Sequence, residues 1–258
     1  ARSVAVHVVS RGYGGSAQGP VRVTPSHPAA EVGDEPLLLS AFAPVWVAKD
    51  RAAGVRAAEG DGAQVILLDD GFQSPAVVPS LSVVVVDAAR GFGNGRCIPA
   101  GPLREPVGVG PSRAHLVLTI GDDAAQDRFT QGWVDHLTQP RLVGALVPLQ
   151  MGMDWQGERV LAFAGIADPS RFFASLRAEG AVVVRGEALA DHEPLSETLL
   201  RRLEAEARAA GAQLVTTEKD AARLPPAWRA KVLTLVVRLR IADAGALDAA
   251  LDRLGVSP

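Results

Sequence analysis

The chain has 258 residues, of which 48% are hydrophobic and 21% charged, a balance typical of a globular protein with one large or two small domains. Its formal net charge of −3 does not favour bulk binding to nucleic acid, and its single cysteine, Cys97, excludes an internal disulfide. The five histidines show no zinc-site spacing, and no run approaches the roughly 20 apolar residues of a membrane span.

Short β-branched runs alternate with alanine-rich stretches along the chain. Ten runs are strand candidates: VAVHVV, VRVT, VWVA, VILLDD, LSVVVVDA, HLVLTI, LVGALVPL, RVLAFAGI, AVVVRG and QLVTTEK. Several are continuously apolar, as in parallel strands that are buried on both faces. Helix candidates lie between them: GDEPLLLSAFA, DRAAGVRAAEG, SRFFASLRAEG and SETLLRRLEAEARAAG. This alternation predicts an α/β fold with a mostly parallel sheet.

The alternation breaks from about Asp122 to Gln156, where the chain becomes polar and contains two prolines. We interpret this stretch as a link between two α/β units. The predicted division is therefore residues 1–121, a linker at 122–157, and a second, smaller unit at 158–258.

The first strand candidate runs into a glycine-rich loop, SRGYGG, at residues 10–15. Such loops often bind phosphate, because their bare backbone N–H groups can close around the anion. A Walker A loop, however, needs G-x-x-x-x-G-K-[ST] followed by a helix. This loop has no lysine, the next helix lies beyond Pro28, and the chain's three lysines (Lys49, Lys219 and Lys231) lack the glycine frame. The sequence therefore contains no Walker A loop.

The segment VILLDDGFQ carries two adjacent carboxylates, Asp69 and Asp70, at the end of an apolar strand candidate. Open α/β sheets bind ligands at the carboxyl ends of their strands. Two neighbouring carboxylates there need a cation, and Mg²⁺ with nucleotide phosphate fits, as in a Walker B strand. The alternative is a pair of turn or helix-capping aspartates before Gly71.

The long loop RGFGNGRCIPAGPLREP contains three arginines, Arg90, Arg96 and Arg104, and one glutamate, Glu105, directly after Arg104. A guanidinium group can donate two parallel hydrogen bonds to two oxygens of one phosphate, so the loop suits phosphate recognition. An ordinary surface loop with solvated charges is the alternative. Cys97 in this loop is interpreted as a small packed residue rather than a nucleophile.

Three shorter motifs are weaker. EVGDEP places Asp34 before a helical run, where acidic residues are common caps. ADHEPLS contains an Asp-His pair that ends in His192, and such isolated pairs are more often structural than catalytic. TTEKDAARL, with Lys219 and Asp220, could hold a nucleotide base or cap the following helix.

Taken together, the motifs resemble one family, the tetraacyldisaccharide 4'-kinases of lipid A biosynthesis. The matching pieces occur in the family's order from Ser10 to Leu224: SRGYGG, VGDEP, DRAAG, DDGFQ, VVVVDAARGFGNG, IPAGPLREP, FAGIADPSRFF, LADHEPL and TTEKDAARL. A DDG strand alone is unspecific, whereas GFGNG followed by PAGPLREP is highly specific.

The resemblance implies a P-loop, RecA-like α/β core with a second, smaller α/β unit that completes the active-site cleft. The implied reaction moves the ATP γ-phosphate, with Mg²⁺, onto the 4'-hydroxyl of a tetraacyl disaccharide 1-phosphate. The implied partners are this lipid and the inner-membrane surface, with no nucleic acid, and the implied location is the cytoplasmic face of the bacterial inner membrane.

The resemblance also implies roles for individual residues. Asp34 would be the base that accepts the sugar hydroxyl's proton, with His192 as its partner. Asp69 and Asp70 would bind the magnesium ion. Three further residues would bind the nucleotide phosphates or lie near the metal: Gln73, Arg104 and Glu105.

Two departures from the family bear on these expectations. The family's GGTGKT-type loop and membrane-anchoring helix would both precede Ala1, so we expect the chain as given to be inactive or nearly so. SPAV follows DDGFQ where many members carry histidine and arginine. Two alternatives stay open: a non-catalytic lipid-binding or regulatory protein, and another P-loop ATPase or GTPase, which the GNG–PAGPLREP loop disfavours.

Overall fold

A computed structural model describes residues 3–149, 152–190 and 193–256. Its strands are β1 (Val6–Ser10), β2 (Val21–Arg22), β3 (Val45–Val47), β4 (Val65–Leu68), β5 (Val83–Asp87), β6 (Leu116–Ile120), β7 (Arg141–Pro148), β8 (Arg159–Ala164), β9 (Val182–Ala188), β10 (Gln213–Thr217), β11 (Val232–Leu235) and β12 (Val237–Ile241). Its α-helices are α1 (Ala29–Val32), α2 (Asp34–Leu39), α3 (Arg51–Gly60), α4 (Asp123–Trp133), α5 (Pro169–Ala178), α6 (Glu197–Ala209), α7 (Glu218–Ala222) and α8 (Gly245–Arg253).

The described residues group into two compact units. Unit A comprises residues 5–69 and 148–237, and unit B comprises residues 3–4, 70–147 and 238–256. Each unit therefore contains segments that are far apart in sequence. The division of the chain at 121 and 157 stays a prediction.

Unit A contains two four-stranded sheets. The first has the order β2-β3-β1-β4, in which β1 pairs in parallel with both β3 and β4, and β2 is antiparallel to β3. The second has the order β11-β10-β8-β9 and is parallel throughout. The central strands are apolar because helices cover them, and Val9 and Phe163 are completely buried. Parallel pairing brings the carboxyl ends of β1 and β4 to one edge of the first sheet.

Side chains at the helix starts fix several boundaries in unit A. The Asp50 carboxylate accepts hydrogen bonds from two backbone N–H groups and begins α3, and the Ser196 hydroxyl does the same for α6 with one N–H group. The Thr217 hydroxyl accepts from the N–H of Asp220 and begins α7 directly after β10. The short helix α7 is thereby held at the carboxyl end of the second sheet.

Unit B contains one sheet, of order β12-β7-β6-β5, with parallel pairing from β5 through β7. Its core includes Val117, Phe129 and Phe92, and Trp133 packs edge-on against Phe92. The Asp122 carboxylate accepts from the N–H of Ala125 and begins α4. This unit carries the long loop between β5 and β6.

The predicted α/β fold with mostly parallel pairing is confirmed, and each of the ten predicted strand runs contains a strand. The residues predicted as a link contain helix α4 and strand β7. Among the residues that the structure describes, no helix combines the length and the apolar character needed to cross a membrane.

Candidate active site

Asp34 is the first residue of α2 and is buried, with 4% of its surface exposed. Gly33 precedes it with a φ of 91°, in the left-handed region that favours glycine, and so lets the chain turn from α1 into α2. The Asp34 Oδ1 atom accepts a 3.0 Å hydrogen bond from the N–H of Glu35. The VGDEP motif therefore places a fixed, buried carboxylate at a helix start.

Two cationic side chains face the other oxygen of Asp34, one from α7 and one from the residue that directly follows this helix. The Lys219 Nζ atom lies 3.9 Å and the Arg223 Nε atom 3.8 Å from Asp34 Oδ2. Lys219 also lies 3.5 Å from Glu35 Oε1. These contacts place two positive charges beside the buried carboxylate.

Asp220 forms an ion pair with Arg223 and is itself completely buried. Its Oδ2 atom accepts hydrogen bonds from the Gly165 N–H, at 3.0 Å, and from the Thr217 hydroxyl, at 2.8 Å. Its Oδ1 atom pairs with Arg223 Nη2. The TTEKDAARL motif thus caps a helix, as one of its two interpretations expected, and also builds a buried ion-pair network beside Asp34.

His192, which the sequence predicts as the partner of Asp34, lies outside the described residues. The neighbouring Glu193 is described, and its carbonyl accepts a 3.2 Å hydrogen bond from Arg223 Nη1. The Asp34–His192 pairing stays a prediction.

Asp69 and Asp70 follow β4 directly. The Ser10 hydroxyl, at the end of β1, donates a 2.8 Å hydrogen bond to Asp69 Oδ2, and Arg51 Nη2 donates a 2.7 Å bond to the Asp69 carbonyl. Asp70 has a φ of 47°, a left-handed conformation that aspartate tolerates better than most residues. The Ser10 hydrogen bond therefore fixes the direction of the Asp69 carboxylate.

The donors at this strand end fit a magnesium ion. The described residues contain no group of three or more His, Cys, Asp or Glu side chains that could by itself hold a metal. Mg²⁺ does not need one, since it usually keeps several waters and binds through one or two carboxylates together with substrate phosphates. Two hard carboxylates, one of them oriented by a serine hydroxyl, are such a donor set.

Gln73, Arg104 and Glu105 come together in unit B. Gln73 Nε2 donates a 2.9 Å hydrogen bond to Glu105 Oε1, and Arg104 Nη1 donates a 2.9 Å bond to Gln73 Oε1. Arg113 Nη2 contacts both Glu105 oxygens, at 2.5 and 2.6 Å, and its guanidinium lies over the Phe72 ring. The hydrogen bond from Gln73, followed by the pairing with Arg113, holds the pKa of Glu105 below its usual value.

A cavity of about 190 Å³ adjoins this network in unit B. Its walls are largely apolar, with Phe72, Phe92 and Leu103 among them, and its polar groups come from Gln73, Arg104 and Glu105. The structure therefore brings the three predicted phosphate-site residues to one concave surface.

The glycine loop SRGYGG does not have the geometry of an anion cradle. Lys49 Nζ donates hydrogen bonds to the carbonyls of Arg11, Gly12 and Gly15, at 3.0, 3.2 and 3.4 Å. Its backbone oxygens thus face a cation, whereas a phosphate loop turns its N–H groups toward an anion. This agrees with the absence of a Walker A pattern at these residues.

Four residues of these clusters had no specific assignment from the sequence: Ser10, Arg51, Arg113 and Arg223. Their roles depend on tertiary contacts, since Ser10 and Asp69, for example, are 59 positions apart. The only sequence signal was their position within, or just after, a recognisable motif.

Comparisons with known proteins place the chain among lipid kinases. Residues 1–255 match the family LpxK, described as tetraacyldisaccharide-1-P 4'-kinase. A tetraacyldisaccharide 4'-kinase of Dinoroseobacter shibae is 62% identical over 256 residues, which cover 98% of this chain and 76% of that protein. The tetraacyldisaccharide 4'-kinase of Jannaschia sp. is 57% identical over 255 residues, which cover 98% of this chain and 78% of that protein.

A similar solved structure is the "apo" form of LpxK from Aquifex aeolicus in complex with ATP. The TM-score is 0.74, and the match covers 98% of this chain and 80% of the other. At 22% sequence identity, this similarity shows the fold alone.

Proposed function

This chain belongs to the tetraacyldisaccharide 4'-kinase family, and we propose that the residues around Asp34 and Asp69 in unit A and those around Glu105 in unit B each take part in its reaction. As a member of that family it is a kinase. It transfers a phosphoryl group from ATP to the 4'-hydroxyl of a tetraacyl disaccharide 1-phosphate, a late step of lipid A biosynthesis. The family match along residues 1–255 is the observation that carries this function.

We assign the role of general base to Asp34. The sugar 4'-oxygen attacks the γ-phosphorus, the bond from that phosphorus to the ADP oxygen breaks, and the hydroxyl proton passes to Asp34. The burial of this carboxylate and the two cations beside its Oδ2 atom support the assignment. His192 completes the proposal as the partner that orients the carboxylate.

Asp69 and Asp70 would hold Mg²⁺, which neutralises charge on the phosphates during transfer. Ser10 keeps Asp69 Oδ2 in a fixed direction. Arg104, Gln73 and Glu105 would bind or surround the nucleotide phosphates, where a guanidinium suits the oxygens of the phosphate and a carboxylate suits the metal.

We further propose that the enzyme works on its lipid at the cytoplasmic face of the inner membrane. The family description supports this, because a disaccharide with four acyl chains is a membrane lipid. ATP, the phosphoryl donor, is available on the cytoplasmic side.

The experiment that tests the function uses the intact protein in detergent micelles with radiolabelled ATP, Mg²⁺ and tetraacyl disaccharide 1-phosphate. We expect label to appear on the lipid, and no label on an analogue that lacks the 4'-hydroxyl. Lipid binding without any transfer would support the non-catalytic alternative and overturn the kinase assignment.

Variants test the roles of individual residues. Asp34→Ala and His192→Ala should each lower kcat strongly in the intact protein, since removal of a positioned acid or base typically costs about 10²- to 10⁴-fold. A wild-type rate in either variant removes that residue from catalysis. Arg201→Gln is a matched surface control, because the Arg201 side chain is 73% exposed and pairs only within α6.

A further inference from the structure

Arg223 is a largely buried cation that has no direct part in the phosphoryl-transfer steps described above. Only 11% of its side chain is exposed. Its guanidinium pairs with the Asp220 carboxylate, donates to the Glu193 carbonyl at 3.2 Å, and directs Nε toward Asp34 Oδ2 at 3.8 Å. One side chain therefore joins α7 to the carboxylate of α2.

The anchor of Arg223 has little freedom to move. Asp220 is completely buried, and its Oδ2 atom is occupied by the Gly165 N–H and the Thr217 hydroxyl, so its Oδ1 atom is directed at Arg223. A Cβ added at Gly165 would lie 3.0 Å from Arg223 Nη2 and 3.2 Å from Asp220 Oδ1. The ion pair thus occupies the space that a side chain at position 165 would fill.

The contact between Arg223 and Asp34 is of a different kind. At 3.8 Å it exceeds hydrogen-bond distance but is close enough for strong electrostatic attraction. Three charged side chains of the described residues lie near Asp34: Glu35 on its own helix, and Lys219 and Arg223 from the α7 side, with Asp220 behind Arg223.

We propose that Arg223, held in place by Asp220, is a positioning residue that keeps the Asp34 carboxylate oriented toward the substrate hydroxyl. This inference rests on the proposed role of Asp34 as the base. Arg223 acts through Asp34 and is not itself placed on the substrate. Helix α7 follows β10 of the second sheet of unit A, and α2 follows the glycine loop after β1 of the first sheet. The contact between Arg223 and Asp34 therefore also links the two sheets of unit A through these helices.

The test compares Arg223→Gln, Arg223→Lys and the control Arg201→Gln in the intact protein, by steady-state kinetics with the rate expressed per folded enzyme. For Arg223→Gln we expect kcat to fall by about tenfold to a hundredfold, the size of effect that a misplaced catalytic group produces. KM for ATP and for the lipid should stay near the wild-type values, because Arg223 is not placed on either substrate.

Arg223→Lys separates charge from geometry. Lysine keeps the positive charge but cannot contact Asp220, Glu193 and Asp34 together, as the planar guanidinium does. We expect kcat to fall less in Arg223→Lys than in Arg223→Gln, with KM retained in both variants. A purely structural role for Arg223 would instead lower the amount of folded enzyme and leave kcat per folded enzyme unchanged in both variants, and that result overturns the inference.

Gly165→Ala is a second variant that removes no charge and decides the matter if Arg223→Gln does not fold. The added methyl group would lie 3.0 Å from Arg223 Nη2 and 3.2 Å from both Asp220 Oδ1 and the Ala190 carbonyl, so these neighbours must shift by a few tenths of an ångström. We expect kcat to fall while KM is retained. Wild-type kcat in a folded Gly165→Ala protein would contradict the inference.

Asp34→Asn distinguishes this inference from the function on which it rests. If Asp34→Asn retains wild-type kcat, the base assignment fails, and the positioning role fails with it. If Asp34→Asn is inactive while Arg223→Gln keeps the wild-type kcat, only the positioning role is overturned.

Discussion

The Ser10 hydroxyl donates a 2.8 Å hydrogen bond to Asp69 Oδ2, so the adjacent strands β1 and β4 are joined at their carboxyl ends by side chains as well as by backbone. Ser10 is only 3% exposed, which protects the bond from competition with water. A carboxylate held in this way presents its remaining lone pairs in a fixed direction.

Ser10→Ala should therefore weaken the use of magnesium. Loss of a group that orients a metal ligand typically costs about 10- to 100-fold in metal affinity or activity. We expect the Mg²⁺ concentration for half-maximal rate to rise, with little change in KM for the lipid. Rates measured across a Mg²⁺ titration check this, with the exposed Ser16→Ala as control. An unchanged Mg²⁺ dependence would separate Ser10 from the metal site.

Asp70, a proposed magnesium ligand, has an unusual backbone conformation. Because asparagine also tolerates the left-handed conformation, Asp70→Asn should lower kcat by at least about a hundredfold, as loss of a preorganised charge does, without changing the melting temperature. Asp70→Ala should lose the same activity and also unfold more easily, by about 1 kcal/mol. Activity assays with thermal melts test both expectations, and equal melting temperatures of the two variants would contradict the backbone argument.

The pKa of Glu105 can be used to examine the network in unit B. Gln73→Ala and Arg113→Ala should each raise the pKa of Glu105 toward its usual value, because Gln73→Ala removes one hydrogen bond that lowers it and Arg113→Ala removes a hydrogen bond together with a positive charge. Carbon-13 NMR titration of the Glu105 carboxyl measures the shift. Arg128→Ala, on the exposed side of α4, is the control and should leave the titration unchanged. An unchanged Glu105 pKa in either variant would contradict the role of that residue in the network.

The pH dependence of stability follows from a second carboxylate, Glu187. Arg202 and then Arg185 hold the pKa of Glu187 below its usual value. The stabilisation is thus present above the ordinary glutamate pKa of about 4.3 and is lost as the pH falls through the lowered value. Urea unfolding should show Glu187→Gln to be less stable than the wild type at pH 7 and similar to it at pH 3. The exposed Glu158→Gln should show no such convergence, and a pH-independent difference for Glu187→Gln would contradict the linkage.

The strands were predictable because burial on both faces leaves a local signature. VILLDD and LSVVVVDA are continuously apolar, and β4 and β5 lie within them. The strands β11 and β12 were missed because a single run, VLTLVVRLRI, contains both, and its charges hide the division at Val236. The helix α7 was expected only as one of two interpretations of TTEKDAARL, because five residues are too few to show a helical period.

The motifs predicted which residues matter but not how they are paired. GDEP and EKDAAR were found separately in the sequence, and their meeting through Asp34, Lys219 and Arg223 depends on the packing of α2 against α7, nearly 190 positions apart. Arg113 had no signal in its own neighbourhood, since PSR is an ordinary turn sequence. Ion pairs between distant segments are set by the fold, so a local pattern cannot specify them.

Lys49, which fills the centre of the glycine loop, has a consequence for the thermodynamics of binding. The three carbonyls around its Nζ atom keep residues 11–15 in one arrangement in the free protein. Most of the conformational entropy of this glycine-rich segment is thus lost during folding. A ligand that reaches this edge of the sheet meets a segment that is already ordered, and the entropy change of its binding contains little contribution from the loop.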